Sequence, residues 1–107
     1  VKALPDYKTE LFVHKKMKTD EAVARTVLER ALPALTALGE WDERLIHDAL
    51  FSLVKELSMK NGQVLFPVRI ALCGKRVTPG GAVEAALLLG RKESLERLRA
   101  GLDKLGA

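Results

Sequence analysis

Gln63-Val64-Leu65-Phe66-Pro67-Val68-Arg69-Ile70-Ala71-Leu72-Cys73-Gly74 is the stretch on which the fold turns. Its β-branched residues Val64, Val68 and Ile70 favour a strand, whereas Pro67 argues against a central one because proline has no N–H to give to a ladder. The run is apolar nearly throughout, so periodicity does not choose between a buried strand and a buried helix. Its neighbours on both sides are easier to read. Before it, Leu45, Ile46, Ala49, Leu50, Leu53, Val54 and Leu57 share one helical face behind Asp42, a natural N-cap, and Asn61-Gly62 reads as the close of that helix. After it, Thr78-Pro79-Gly80-Gly81 is a turn. A short, nearly all-apolar helix follows from Ala82 to Leu89, expected to be buried and capped by Gly90.

Further out, Val23, Ala24, Val27, Leu28, Ala31, Leu32 and Leu35 follow helical spacing behind Thr19 or Asp20. Pro33 lies inside that pattern, so the helix either ends near Leu32 or continues to Leu38 before Gly39 stops it. The closing segment starts near Glu93-Ser94 and puts Leu95, Leu98, Leu102 and Leu105 on one stripe, ending at Gly106. The opening residues Asp6 to Lys18 read as a helix with Tyr7, Leu11 and one of His14 or Met17 on its buried side. The expected fold is all-α, a compact bundle of four to six helices in two small packed subdomains, 1–39 and 40–107.

Length and composition bound the function. A chain of 107 residues, 48% hydrophobic and 30% charged, fits a small globular unit and has no apolar run able to span a membrane. The single cysteine, Cys73, makes no internal disulfide, and two scattered histidines offer no metal spacing, which fits a reducing, cytoplasmic setting. The start Val1-Lys2-Ala3-Leu4-Pro5 has no signal-peptide pattern and no initiator methionine, as expected of a piece of a longer chain.

Charge is unevenly placed around a net +4. Residues 1–18 carry Lys2, Lys8, Lys15, Lys16 and Lys18 against Asp6 and Glu10, and residues 19–59 carry a net excess of acids, the pattern of a solvated scaffold. Residues 60–76 hold Lys60, Arg69, Lys75 and Arg76 with no carboxylate. That window suits a polyanion, and it is equally compatible with ordinary scatter.

No catalytic constellation emerges. His14 and His47 have no nucleophile or carboxylate at a spacing that ties them together, and Cys73 sits in an apolar run as a small packed side chain. Gly74-Lys75-Arg76-Val77-Thr78-Pro79-Gly80-Gly81 lacks the order of a nucleotide-phosphate loop. It remains a glycine-rich turn with two cations and a hydroxyl, either a plain connector or a place where amides meet a phosphate or a base. Lys15-Lys16-Met17-Lys18-Thr19 reads as a solvated basic turn.

Taken together, residues 60–74 and the later Leu88-Leu89-Gly90-Arg91-Lys92-Glu93 resemble the C-terminal region of bacterial glutamyl-tRNA synthetases. The family pattern runs approximately K-x-G-Q-V-x-x-P-L-R-x-A-L-T-G, a Pro-Gly turn, then E-x-x-x-L-L-G-K-E and a leucine-striped helix. The resemblance implies an all-helical anticodon-binding region of a class I synthetase and makes the ambiguous segment a helix ending at Gly74, with Pro67 in its first turns. The implied partner is tRNA through its anticodon loop, with no membrane and a monomer expected. ATP with magnesium belongs to an upstream catalytic domain of the parent chain, leaving no catalytic residue, metal or cofactor in this fragment.

By the same resemblance, Arg69 matches an arginine that contacts anticodon nucleotides, and Thr78, Pro79 and Gly80 match the turn around the middle base. Gly81 extends that turn by one residue relative to the family, and Lys60, Lys75 and Arg76 would attract phosphates. A splayed base needs donors to its Watson–Crick edge and a flat surface to lie on, which this set can supply. Cys73 stands where the family has Thr, Val68 where it has Leu, and Ala82-Val83 where it has a leucine and an aromatic, so the base wall is shaped differently. Two further readings compete. One is a small helix-turn-helix-like DNA-binding module made by residues 82–105, and the other is a bundle that only binds proteins.

Overall fold

The computed structural model describes residues 7–75 and 80–106. A single 3-10 turn, Thr9–Phe12, precedes four helices: α1 (Glu21–Thr36), α2 (Glu43–Glu56), α3 (Asn61–Cys73) and α4 (Ala82–Lys104). No strand occurs among the described residues, and the expected all-α bundle is what forms.

The deciding stretch is the central helix. Val64, Phe66, Pro67, Val68, Ile70, Ala71 and Leu72 of α3 are all buried, and α1, α2, α4 and the 3-10 turn pack around it. A helix pairs its backbone groups internally, so it can be enclosed by apolar side chains on every side without a neighbouring strand. Gly74 ends it at φ 68°, its N–H donating to the Ile70 carbonyl at 2.7 Å. Pro67 lies deeper than expected. With Asn61 as the first helical residue, Pro67 falls beyond the first turn, where its missing N–H withdraws a partner from the Gln63 carbonyl.

Local chemistry explains the flanking helices. Asp20 and Asp42 accept from the N–H groups of Val23 and Leu45, both at 2.8 Å, and so cap α1 and α2. Of the two readings left by Pro33, continuation holds: α1 runs to Thr36. The carbonyl that Pro33 leaves without its helical donor belongs to exposed Glu29, where water can reach. Asn61-Gly62 does not close α2. That helix stops at Glu56, Ser58 turns the chain at φ 54°, and Asn61 opens α3.

The opening segment departs most from its expected helix. After the 3-10 turn, His14 and Thr19 pair in both directions at 3.2 and 3.1 Å, making a small hairpin with Lys18 at φ 57°. Phe12, not Tyr7 or Leu11, is the side chain fully buried here. Thr19 fixes the hairpin base with a buried hydroxyl donating to the Phe12 carbonyl at 2.7 Å.

Gly90 divides α4 at φ 81° and ψ 169°, backbone open essentially to glycine alone. At this break the Ala86 carbonyl accepts from the Trp41 indole N–H (2.9 Å) and the Ser94 hydroxyl (3.2 Å). Residues 82–89 are not wholly buried as their composition implied. Ala82 and Ala86 face the core, whereas Leu88, on the opposite side, is 84% exposed. Farther along, Gly101 permits close packing: a Cβ there would stand 3.1 Å from Ala71 Cβ and 3.3 Å from Leu28 Cδ1. One continuous core results, contributed by Phe12 and all four helices. No helix of the described residues is long and apolar enough to cross a membrane.

Candidate nucleic-acid interface

Arg69 emerges half-buried from α3 with its guanidinium 5.5 Å from the centroid of the Phe66 ring. The side chain borders a cavity of about 220 Å³ with Met17, Gly62, Leu65, Phe66, Gly81 and Ala82. Folding therefore brings Arg69 and the start of α4 to one cleft, with a cation and backbone at an otherwise apolar wall. That combination offers a donor for a polar edge and a surface for a flat ring.

The turn into α4 is built by Gly80, Gly81 and Glu84. The Glu84 carboxylate accepts from the Gly81 N–H, half of a capping box. Its side chain lies so close that a Cβ on Gly80 would stand 3.1 Å from Glu84 Cβ, and one on Gly81 would stand 2.9 Å from its Oε2. The two glycines thus let a carboxylate fold over the turn and fix its entry angle. Gly80 and Gly81 also border a second, apolar cavity of about 180 Å³ with Leu72, Cys73, Ala85 and Leu88. Arg76, Thr78 and Pro79 lie outside the described residues.

The remaining expected cations separate. Lys75 is exposed just after α3, and Lys60 caps the other end, roughly 20 Å away by helical rise. Lys60 sits beside Lys18, and its pKa is lowered by a side-chain hydrogen-bond contact with that lysine and by Coulombic repulsion from it. Burial pushes the Cys73 thiol up, partly offset by the positive charges of Arg69, Arg97 and Lys75, so the side chain is a neutral packing group at pH 7. The histidines stay apart: His14 meets Phe66 edge-on at 5.0 Å, while His47 stacks on Phe51 at 4.1 Å. Among the described residues, no group of three or more His, Cys, Asp or Glu side chains is placed to hold a metal.

Sequence reasoning missed Arg97. This arginine is only 12% exposed, donates to the Leu72 carbonyl at 2.6 Å and pairs with Glu93 at 3.0 Å. It satisfies an end carbonyl of α3 and places positive charge at that helix's C-terminus. Its Glu93 spacing was visible, but its partner on α3 was not. Glu84, three residues after Gly81, carried a readable capping-box signal.

The family described as "Anticodon binding domain" matches residues 1–102. This chain belongs to the anticodon-binding domain family. The domain is 52% identical over 105 residues to the glutamate–tRNA ligase of Clostridium novyi, covering 98% of this chain and 22% of that protein. It is 49% identical over 102 residues to the glutamate–tRNA ligase of Clostridium tetani, covering 95% of the chain and 21% of the relative. The domain thus spans about a fifth of these relatives. A crystal structure of a glutamate tRNA ligase from Elizabethkingia meningosepticum superposes with a TM-score of 0.77 over 96% of the chain and 20% of that structure, at 18% identity, which shows the shared fold.

The helix-turn-helix reading finds no support in the anticodon-binding domain. In residues 91–104, Ser94, Leu98, Gly101 and Leu102 are buried, and the exposed side mixes Lys92, Glu96, Arg99 and Asp103. Arg99 and Asp103 pair with each other at 3.6 Å, so acids interrupt the cations along that side, unlike a surface built for a DNA groove.

Proposed function

We propose that this anticodon-binding domain recognises a tRNA anticodon loop as the C-terminal part of a glutamate–tRNA ligase. The observation that carries this reading is the cleft shared by Arg69, Phe66 and Gly81. Arg69 donates to the edge of an unstacked base, the partly exposed Met17 and Leu65 side chains of the cleft receive its face, and Thr78, Pro79, Gly80 and Gly81 are assigned to the same base by the family resemblance. Lys75 and Arg76 attract phosphates on the turn side, and Lys60 does so at the far end of α3.

Residues 1–39 act as the connecting subdomain and residues 40–107 as the reading part. In the parent chain an upstream catalytic domain uses ATP with magnesium to attach glutamate, and binding energy from the anticodon arm positions the distant acceptor end there. The domain acts as a monomer in the cytoplasm. Competition between a glutamate-tRNA anticodon stem-loop and a blunt duplex of the same stem tests the reading. The stem-loop is expected to win by at least about tenfold, because loop bases are splayed and duplex bases are not. Equal binding would refute loop recognition.

A further inference from the structure

The basic hairpin is held against the cleft. His14 and Thr19 close it through two backbone hydrogen bonds, and the Thr19 hydroxyl anchors it to Phe12. Gln63 of α3 donates to the Lys18 carbonyl at 3.0 Å, and the His14 ring packs on Phe66. Met17 lies over Gly62, where a Cβ would come within 2.8 Å of its sulfur, and Met17 also borders the Arg69 cavity. A loop that only kept charge in water would need none of these attachments.

Its lysines are exposed and share one sign. Lys15, Lys16 and Lys18 project from the hairpin, and Lys18 stands beside Lys60 at the start of α3. Among the described residues, no carboxylate lies within ion-pair distance of these lysines. The nearest acid along the chain, Asp20, is engaged in capping α1. Holding like charges together is unfavourable until an anion lies across them, and a backbone fixed beforehand reduces the ordering cost of binding one.

We propose that Lys15, Lys16 and Lys18, with Lys60, form a docking site for RNA backbone phosphates at the edge of the Arg69 cleft. This site rests on the reading of the domain as a tRNA binder and extends it: the hairpin holds the anticodon arm by its backbone while the cleft reads a base. Phosphate contacts fix register and orientation, and base contacts supply discrimination.

The test uses the 107-residue chain, a variant combining Lys15→Gln, Lys16→Gln and Lys18→Gln, and a control Lys55→Gln on α2. Each is titrated with the anticodon stem-loop from about 50 to 200 mM potassium chloride. The triple variant is expected to lower the slope of log affinity against log salt by about 2–3, at roughly one unit per lost phosphate contact. Its affinity falls on the order of tenfold or more at the lowest salt, while its preference for the native loop over a middle-base variant stays unchanged. Lys55→Gln leaves both quantities as they were. An unchanged slope with base preference intact overturns the hairpin site alone. A reduced slope in a chain that never distinguished the two loops supports the hairpin and overturns anticodon reading. No binding by the unsubstituted chain overturns both. Circular dichroism confirms that the variants remain folded.

Discussion

The α1–α2 layer and the hairpin–α3 face both carry exposed charges but arrange them differently. On the first, Arg25 meets Glu29 at 3.1 Å, Arg30 meets Glu56 at 3.6 Å and Arg44 meets Asp48 at 3.9 Å, so all three arginines have a nearby carboxylate. On the second, Lys15, Lys16, Lys18 and Lys60 gather without one among the described residues. Paired surface charges contribute little to stability and leave little field, whereas like charges held together create a potential that an anion can use. Substitutions in the first layer should therefore move stability alone, and those on the second should move RNA affinity.

The largest effect is expected where the two regions join. Phe12 is fully buried under the hairpin, and Phe12→Ala should cost about 3–5 kcal/mol in urea denaturation while loosening the hairpin. A loss below about 1 kcal/mol would mean that the hairpin is not seated on the core. In the scaffold, Leu50→Ala should cost about 2–5 kcal/mol with no change in base discrimination, measured at a temperature where the variant is folded. A change in discrimination would break the separation between the layers. Gly90→Ala should cost about 1–3 kcal/mol, because its backbone conformation is closed to a Cβ. Arg30→Gln, at a pair more than half exposed on both sides, should cost under about 1 kcal/mol and leave RNA binding unaltered.

Tyr7 supplies a pH prediction. Burial raises its pKa to about 12, and its hydroxyl has no hydrogen-bond partner among the described residues. As the sole tyrosine, it should titrate alone by absorbance near that value. Because the folded pKa is raised, Tyr7's contribution is intact below the unfolded value of about 10 and is lost as pH rises toward 12. Tyr7→Phe should make stability less steep in that window, and identical slopes would place the hydroxyl in water.

What the sequence revealed depended on how local the cause was. Asp20 and Asp42 act through neighbouring N–H groups, so both caps and the helices behind them were legible. Gly90 likewise marked a real break, and Gly74 did so through the resemblance. The α3 stretch was ambiguous because most of its side chains are buried and the partly exposed strip through Leu65, Arg69 and Cys73 is itself mainly apolar, so no polar face reveals the period, and resemblance decided it. Lys18 and Ser58 turn the chain at positive φ without being glycine or asparagine, so neither the hairpin nor the early end of α2 had a local signal. Within the site, Arg69 was found through resemblance. Its neighbours Met17 and Gly62 come from segments far apart in sequence, and only folding brings them to the same cavity.

The most direct test of the central claim is a double-mutant cycle on the cleft: native chain and Arg69→Ala, each titrated with the glutamate-tRNA anticodon stem-loop and with a loop altered at its middle base. Each single change should weaken binding by about 1–3 kcal/mol, and the two together should cost clearly less than their sum, because they remove the same contact. Additive losses, or indifference to both changes, would contradict base reading by Arg69.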